Sequence, residues 1–466
     1  MDKLMAKRRR ALNAEDGVVR SDGNGSAEKH TGHQGGHRIN HNGHKVTKGI
    51  HPDGESGRKG IHPIQFLRIC FRSSCTLSKM VNVLWPFVPP AIVLHFACPH
   101  QNLWIFILNY IAMVPAANLI GFAGQELARK LPKVFGVLLE TFLGGIVEII
   151  LFMVLLHRDQ NTAEADLVGV IRAAILGSIL ANVLLCLGFC FFVGGVRKGR
   201  DEQHFSEVIS EVGSNLLLVA GFGLLVPSAF YHSLIGGEFT EGDIFEKQLH
   251  ISRITAVILL IAFLLYVFFQ MRSHHSLYDD VLTMDEEKDA DRDKDLAKAK
   301  LTLTEFEQIE YIVHVRHVSD SFVGLILVPL VEKVAEHLTA VDEAWDNQMN
   351  FALAHVLGAT IQTALFNGPL VVIVGWGLAK NMDLNFETFY IVVLILGIIV
   401  IGGFLRDQKS NYLEGALCIL IYMIIAIAAW YYPDPPKGAS SADEAGAATG
   451  GETAPERLMR MAMKMR

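Results

Sequence analysis

The sequence predicts an all-α polytopic membrane protein with about ten transmembrane helices in two inverted-repeat halves. Hydrophobic residues make up 51% of the chain and charged residues only 19%, too few to cover a soluble domain of this length. The apolar residues are concentrated in runs near the roughly 20 residues that a spanning helix requires. So many runs indicate a carrier or channel rather than a receptor with one anchor, and they lie at Val81–Cys98, Leu103–Ala123, Val134–Leu156, Leu167–Gly195, Val212–Tyr231, Ile251–Met271, Val318–Val341, Met349–Ala379, Phe386–Leu405 and Tyr412–Tyr432.

The segments outside these runs are polar. Residues 1–78 are expected to form a disordered cytosolic tail, since the first 60 are rich in Gly and His and show no hydrophobic periodicity. The His residues could bind metal weakly, but a solvated tail without a defined site is favoured. Residues 272–317 form a charged cytosolic linker between membrane halves at 79–271 and 318–432, and residues 433–466 a second disordered tail. No signal peptide precedes the first span, which is expected to act as its own insertion signal.

Loop charges predict the orientation of the chain in the membrane. The loops after the third and fifth runs are poor in Lys and Arg, whereas basic residues follow the second and fourth runs. By the positive-inside rule, the N-terminus and the loops after the second, fourth and sixth runs are cytosolic. The basic residues are Arg129, Lys130, Lys133, Arg197, Lys198 and Arg200.

Two acidic residues lie inside the third apolar run. Glu140 and Glu148 are eight residues apart, which places them about 80° apart on a helix, near enough to line one cavity. An acid at the centre of a span costs about 2.5–3.5 kcal/mol on insertion scales and is a functional candidate by default. Gly144 and Gly145 between them would let another helix approach closely or let the backbone open.

A second acidic cluster lies in the seventh run. Glu332 and Glu336 share one helix face, with Lys333 three residues before Glu336 and His337 directly after it. These residues could instead mark a helix end whose long side chains extend to the membrane surface. That alternative is weaker for Glu336, because the other half carries a similar acid after small residues.

Polar patches interrupt the fourth and eighth runs, at Ser178 and Asn182 and at Thr360 and Gln362. Such residues either hold helices together or bind a ligand. Each half therefore has an apolar helix with a buried Glu, followed by a helix with a small-residue and amide patch. Two such units of opposite topology are typical of a secondary transporter with its site at the midplane. Competition between a cation and protons for the same acids is sufficient for exchange. The sequence shows no nucleotide-binding or hydrolase motif that would indicate an enzyme.

These residues belong to a series of segments that occur in order over residues 80–435. The series resembles the fungal vacuolar branch of the CAX family of calcium/proton exchangers. That family is part of the cation/Ca²⁺ exchanger superfamily. Besides the two acidic stretches, Glu140–Glu148 and Ala335–His337, the resemblance rests on Leu176–Asn182, Glu202–Phe205, Ser214–Leu218, Ser319–Leu330, Gly358–Phe366, Gly375–Trp376 and Lys409–Gly415.

The resemblance implies that Glu148 and Glu336 are the essential acids for the cation and the proton, and thus the metal ligands. It also implies Ca²⁺/H⁺ antiport by alternating access, carrying cytosolic Ca²⁺ across the vacuolar membrane into the lumen, although another endomembrane would also fit. No cofactor is expected besides the transported ions. The expected partners are the lipid bilayer, the cation and protons, without nucleic acid, and a homo-oligomer is compatible with the sequence.

Two departures from the family pattern concern the site. The family has Gly-Asn before each essential acid, whereas this chain has Gly144-Gly145 and Glu332-Lys333, and Glu140 stands where the family usually has Asn. A fixed ammonium beside two carboxylates weakens a divalent site by charge repulsion. Exchange of Na⁺ or K⁺ for protons on the same fold is therefore the alternative.

A third departure concerns the fold. The family has a further apolar helix before Val318, but Leu301–His317 is too short and too charged to span a membrane. Without that helix, the spans bearing Glu148 and Glu336 would both run from cytosol to lumen. Either the chain is an incomplete product lacking a segment near Glu305 and Phe306, which would leave it inactive in transport, or its second half is rearranged.

Overall fold

The computed structural model describes residues 50–51, 54–56, 58, 60–73, 75–97, 101–158, 167–199, 202–235, 240–289, 298–300, 329–330 and 333–432. Across these ranges the chain is mostly helical, with one pair of two-residue strands. Long helices are expected, because a helix satisfies all its backbone polar groups internally and can lie in lipid.

The described helices and the two short strands divide into two halves along the chain. The first half comprises α1 (Pro63–Arg72), α2 (Thr76–Val81), a 3₁₀ segment (Asn82–Phe87), α3 (Val88–Ala97), α4 (Asn102–Ala128), α5 (Lys133–Arg158), α6 (Leu167–Leu180), the π segment π1 (Ala181–Cys186), α7 (Leu187–Lys198), β1 (Gln203–His204), α8 (Glu207–Leu234), α9 (Glu241–Phe268), π2 (Phe269–Ser273) and α10 (His275–Glu286). The second half comprises α11 (Val334–Trp345), α12 (Met349–Gln362), π3 (Thr363–Asn367), α13 (Gly368–Gly377), α14 (Thr388–Leu405), β2 (Lys409–Ser410) and α15 (Tyr412–Trp430).

Eight helical stretches among the described residues are long and apolar enough to cross a membrane, which is compatible with the expected number. The run expected at Val81–Cys98 is a 3₁₀ segment followed by the ten-residue α3. Part of the seventh run, and the whole of Leu301–His317, lie outside the described residues. The eight stretches are Leu103–Ala128, Lys133–His157, Leu167–Lys198, Glu207–Leu234, Gly242–Ser273, Met349–Gly377, Thr388–Leu405 and Tyr412–Trp430.

One end of the helical bundle, here called the basic end, is defined by Lys133, Lys198 and Arg406, which begin or follow transmembrane helices. Strands β1 and β2 pair antiparallel there and tie the loop after α7 to the loop after α14. Beside them the exposed Lys409 donates a hydrogen bond to Glu202 at 2.9 Å and lowers the pKa of that carboxyl below its ordinary value.

The two acidic helices, α5 and α11, run in opposite directions. Helix α5 starts at the basic end with Lys133. Helix α11 finishes there, since Asp346, directly after it, accepts a 2.8 Å bond from Arg197 at the end of α7, and Arg197 also lies over the ring of Trp345. The expectation that both helices would run in the same direction is therefore wrong, and their arrangement is the antiparallel one that an inverted repeat requires.

The opposite end of the bundle is closed by the loop between α13 and α14. Arg172 at the start of α6 pairs with Asp383 at 3.2 Å and donates to the carbonyl of Asn385 at 2.6 Å. Ser228 of α8 and Ser252 of α9 bond the backbone of the same loop. Backbone groups of this loop thus find partners in three helices, which fixes it over their ends.

Two segments expected to be polar tail or linker are folded. Helices α1 and α2 occupy residues 63–81, and Ile69 of α1 is buried against Leu119 and Phe122 of α4. The disordered tail predicted for residues 1–78 is therefore wrong for this stretch. In the predicted linker, α10 packs against α5 and α12, because Tyr278 and Leu282 give it an apolar face within a charged sequence.

Candidate functional site

Glu148 lies in the middle of the bundle and is the best-enclosed acid of α5, with 1% of its surface exposed. Its Oε2 accepts hydrogen bonds from Thr363 at 2.9 Å and from Asn367 at 2.7 Å. Both donors belong to π3 of the other half. A buried carboxylate needs such donors because its loss of hydration is otherwise uncompensated.

Lys333 lies between the two acids that the sequence singles out. Its Nζ is 3.6 Å from Oε2 of Glu148 and 3.5 Å from Oε2 of Glu336. The residue is 1% exposed, so its ammonium group is inside the protein. The interpretation that Lys333 extends to the membrane surface is therefore wrong. Glu332 lies outside the described residues.

The paired glycines of α5 provide the space for these contacts. A Cβ at Gly144 would lie 1.9 Å from Oε1 of Glu336, and one at Gly145 would lie 2.2 Å from Nε2 of Gln362. Any larger residue at Gly144 would therefore force the side chain of Glu336 to move. Side chains of the other half thus lie directly against both glycines.

In each half, the helical stretch that comes next after the acidic helix contains a π segment, and each of these segments, π1 and π3, holds an Asn that reaches the other half. Asn367 of π3 donates to Glu148, and Asn182 of π1 lies 3.0 Å from Nε2 of His337, next to Glu336. A π segment widens the helix by one residue per turn and often marks a functional site. The two amide patches therefore lie at matching places in the two halves.

The other predicted polar residues differ in whether they contact the acids or only their own helix. Gln362 approaches Asn367 at 3.5 Å and the carbonyl of Phe142 at 3.4 Å, so it borders the Glu148 contacts. Thr360 donates to the carbonyl of Val356 in its own helix at 2.6 Å, and within the described part of the chain no hydrogen bond joins it to Glu148 or Glu336. Ser178 is fully buried one turn before Asn182.

Several buried polar atoms in this region have no hydrogen-bond partner among the described residues. They are Oε1 of Glu148, Oε2 of Glu336, Oγ of Ser178 and Nδ2 of Asn182. Unpaired buried polar groups are costly. Three of them are oxygens, the ligand type preferred by Na⁺, K⁺ and Ca²⁺. The described residues contain no group of three or more His, Cys, Asp or Glu that could hold a metal ion.

Glu140 belongs to a different cluster, nearer the basic end. Its Oε2 lies 3.3 Å from Nε2 of His355, whose Nδ1 is 2.8 Å from Oε2 of Glu343. All three residues border a cavity of about 230 Å³ that is open on one side. The structure thus separates the two acids of α5, with Glu148 at the centre and Glu140 beside the cavity.

The sequence analysis missed Thr363, Asn367, His355 and Glu343. Asn367 follows the apolar residues Leu365 and Phe366, so a search for single polar residues within apolar runs would have found it. His355 lies three residues before the patch at 358–362 and could have been found in the same way. Thr363 has no such signal, because a hydroxyl in a transmembrane helix commonly bonds its own backbone.

The comparisons with known proteins identify the family of the chain. The family model described as "Sodium/calcium exchanger protein" matches residues 101–272 and 305–431. This chain belongs to that family. Its recognition from the sequence is confirmed, and the match to both halves agrees with an internal repeat.

Two curated relatives illustrate the resemblance. The chain is 32% identical over 377 residues to "Vacuolar cation/proton exchanger 5" of Arabidopsis thaliana, an alignment that covers 77% of the chain and 82% of the relative. It is 30% identical over 372 residues to "Vacuolar calcium ion transporter" of Schizosaccharomyces pombe, covering 77% and 87%. The solved structure of YfkE is 24% identical, with a TM-score of 0.57 over 76% of this chain and 100% of that one. The YfkE match supports the helical exchanger fold.

Proposed function

We propose that this chain is a secondary active cation/proton antiporter in which Glu148 and Glu336 bind the transported cation and the proton in turn. The observation that carries the proposal is the pair of acids from antiparallel helices, both within 3.6 Å of Lys333 at the centre of the bundle. A cation and a proton cannot both neutralise the same carboxylate. Competition between them therefore couples one flux to the other.

The residues around the acids would orient the two carboxylates and limit which ion can bind between them. Thr363 and Asn367 hold Oε2 of Glu148, which leaves Oε1 to face an ion. Gly144 admits the carboxylate of Glu336 against α5. Because each half holds side chains of the other half, a movement of one half against the other would change access to both acids together.

For the cation, the geometry best supports a monovalent ion, Na⁺ or K⁺. Two ionised carboxylates and one ammonium carry a net charge of −1, so one monovalent ion or one proton neutralises the site. A divalent ion would leave a net charge of +1 inside the membrane, where uncompensated charge is costly. Lys333 is thus the residue proposed to select the charge of the transported ion.

Ca²⁺/H⁺ exchange is the second candidate. It is favoured by the names of relatives, since the Schizosaccharomyces pombe protein is called a vacuolar calcium ion transporter. In that case Lys333 would have to leave the two acids or lose its proton when Ca²⁺ binds.

The proposed location is the vacuolar membrane, with the basic end and the N-terminus in the cytosol. Relatives named as vacuolar exchangers support the membrane, and Lys133, Lys198 and Arg406 at one end support the orientation by the positive-inside rule. The cation would move from cytosol to lumen as protons move out.

The experiment is reconstitution of the full chain in liposomes with a pH-sensitive dye, followed by addition of Na⁺, K⁺ or Ca²⁺. The wild-type protein should release protons on addition of Na⁺ or K⁺, and Glu148→Gln should lower that flux at least a hundredfold, because the amide cannot take up the proton. Glu246→Gln changes an exposed acid of α9 and is the matched control.

The substitution Lys333→Asn tests the cation. It removes the positive charge, so proton release driven by Ca²⁺ should rise relative to that driven by Na⁺ by about tenfold or more, since 1.4 kcal/mol of altered charge interaction corresponds to a factor of 10. Lys380→Asn, which removes another buried Lys, is the control. Exchange of Ca²⁺ by the wild type with no response to Na⁺ or K⁺ would favour the second candidate. No flux with any ion would favour an inactive chain.

A further inference from the structure

The cluster of Glu140, His355 and Glu343 joins three helices beside the cavity. Glu140 comes from α5, Glu343 from α11 and His355 from α12, and both ring nitrogens of His355 lie close to a carboxylate oxygen, at 2.8 and 3.3 Å. The three side chains are between 12% and 18% exposed. None of them belongs to the contacts around Lys333.

The geometry of this cluster fits an extra proton on His355: Nδ1 is in hydrogen-bond contact with Glu343, and Nε2 lies 3.3 Å from Glu140 without completing a hydrogen bond. A neutral imidazole carries one N–H and can donate towards only one of the two carboxylates. Its other nitrogen would then place a lone pair against the oxygens of the second carboxylate, which is repulsive. The arrangement is complementary to an imidazolium between two carboxylates.

The cluster lies between the cavity and the exchange site. Glu343 and Glu336 are seven residues apart on α11, two turns or about 10 Å, and so lie on the same side of that helix. Thr339 lies between them and accepts a 2.6 Å bond from Gln125. Glu343, His355 and Thr339 all border the cavity. Titratable and hydroxyl groups thus extend from Glu336 to the cavity along one face of α11.

Other charged groups surround the cluster. Asp285 of α10 lies near Glu343 but is already bonded to Lys288 and to the start of α12. Cys186 of π1 also lies near Glu343. On α8, Glu207 and Glu211 are exposed, and in the described part of the chain no ion pair joins them to His355. Further charged residues line the cavity, namely Arg129, Lys133, Glu286, Asp289, Lys300, Asp342 and Asp346.

We propose that Glu140, His355 and Glu343 form a second proton-binding station, which exchanges protons between the cavity and the central acids during transport. The inference rests on the proposed function and extends it to residues outside the exchange site. His355 holds the proton as an imidazolium between the two carboxylates. When the imidazolium loses its proton to the cavity, a proton released from Glu336 replaces it over the Thr339 hydroxyl and bridging water.

The experiment compares wild type, His355→Gln, Glu343→Gln and the double variant in the liposome assay at a series of pH values. The slope of the logarithm of the exchange rate against pH reports the number of protons bound in the controlling step. Each single variant should lower this slope by about one proton, and the double variant should lower it no further, because the residues act as one unit. His157→Gln, at an exposed position on α5, should keep the wild-type slope.

A second measurement does not depend on transport. In protein labelled with ¹⁵N-histidine, the resonances that disappear in His355→Gln should be those of an imidazolium at pH 7 in the wild type, and those of a neutral ring in Glu343→Gln. A neutral His355 in the wild type, or single variants that lower the rate equally at every pH, would overturn the inference. If the wild type moves no protons but shows the imidazolium, the proposed function fails and the proton-binding cluster stands.

Discussion

The two acidic helices differ in what they bring to the centre of the molecule. Helix α5 is 26 residues long and carries two glycines in the turn before Glu148, whereas α11 is 12 residues long, carries Glu336 in its first turn and is preceded by Lys333. The residue three positions before the acid is Gly145 in the first half and Lys333 in the second. One half therefore provides space, and the other fills that space with a charge. A repeated fold can thus hold an asymmetric site.

The hydrogen bonds across the site reveal a second difference. Asn367 of π3 bonds the acid Glu148 itself, whereas Asn182 of π1 bonds His337, the neighbour of Glu336. Glu148 has two donors on one oxygen, whereas among the described residues Oε2 of Glu336 has only the ammonium of Lys333 at 3.5 Å. The first acid is held in position by the opposite half, and the second is held by charge. We infer that Glu336 is the more mobile of the two during exchange.

The largest effect on this comparison is expected from Gly144→Ala, which removes the space provided by the first half. The new Cβ would lie 1.9 Å from Oε1 of Glu336, so the carboxylate must leave its position. Helix α5 itself should not suffer, since Ala favours helices more than Gly does. We expect the cation-driven proton flux to fall at least tenfold while the melting temperature is unchanged or higher.

The control for that variant is Gly402→Ala in α14, where a Cβ would meet no atom within 4 Å. It should keep the wild-type flux. Full exchange by Gly144→Ala would mean that Glu336 does not need its present position, and that the close approach of the two helices is a matter of packing alone.

A smaller effect is expected from Thr363→Val, which keeps the shape of the side chain and removes one of the two donors to Glu148. A hydrogen bond to a charged group contributes about 1.5–3 kcal/mol, so the cation concentration for half-maximal flux should rise about tenfold. Maximal flux should change less, because Asn367 still donates. Flux measured over a range of cation concentrations checks this.

Thr141→Val is the matched control, since Thr141 is also a buried Thr but bonds the carbonyl of Val137 in its own helix at 2.9 Å. If the two variants shift the half-maximal concentration equally, the bond between Thr363 and Glu148 does not orient the acid, and the comparison between a held and a mobile carboxylate is wrong.

The sequence predicted the features that follow from composition and from single costly residues. Membrane-length apolar runs identify the helices, and a buried acid such as Glu148 stands out because it is expensive in lipid. The direction of α11 could not be predicted, because Leu301–His317 is too short and too charged to be recognised as a span before the seventh run. Asn367 could have been found as a polar residue in an apolar run, but its contact with Glu148, and that of Thr363, could not, because a π segment that leaves no mark in the hydrophobic pattern brings them there.

The smallest effect is expected at the basic end, where α10 contacts the start of one helix from each half. Asp285 accepts bonds from the backbone N–H of Asn350 at 2.7 Å and of Phe351 at 3.3 Å, and thereby caps α12. The next residue, Glu286, forms an ion pair with Lys133 at the start of α5. Asp285→Asn keeps the shape and removes the charge at this helix start, so it should lower stability by about 1–2 kcal/mol. Thermal unfolding in detergent should show a lower melting temperature.

Asp280→Asn, at an exposed position of the same helix, should leave the melting temperature unchanged. Helix α10 contacts α5 of the first half and α12 of the second. If Asp285→Asn lowers stability while the proton flux below the melting temperature keeps its wild-type value, α10 serves as a structural tie between the halves. If the flux below the melting temperature also falls, the start of α12 must stay capped for exchange. The two halves are then coupled at the basic end as well as at the central acids.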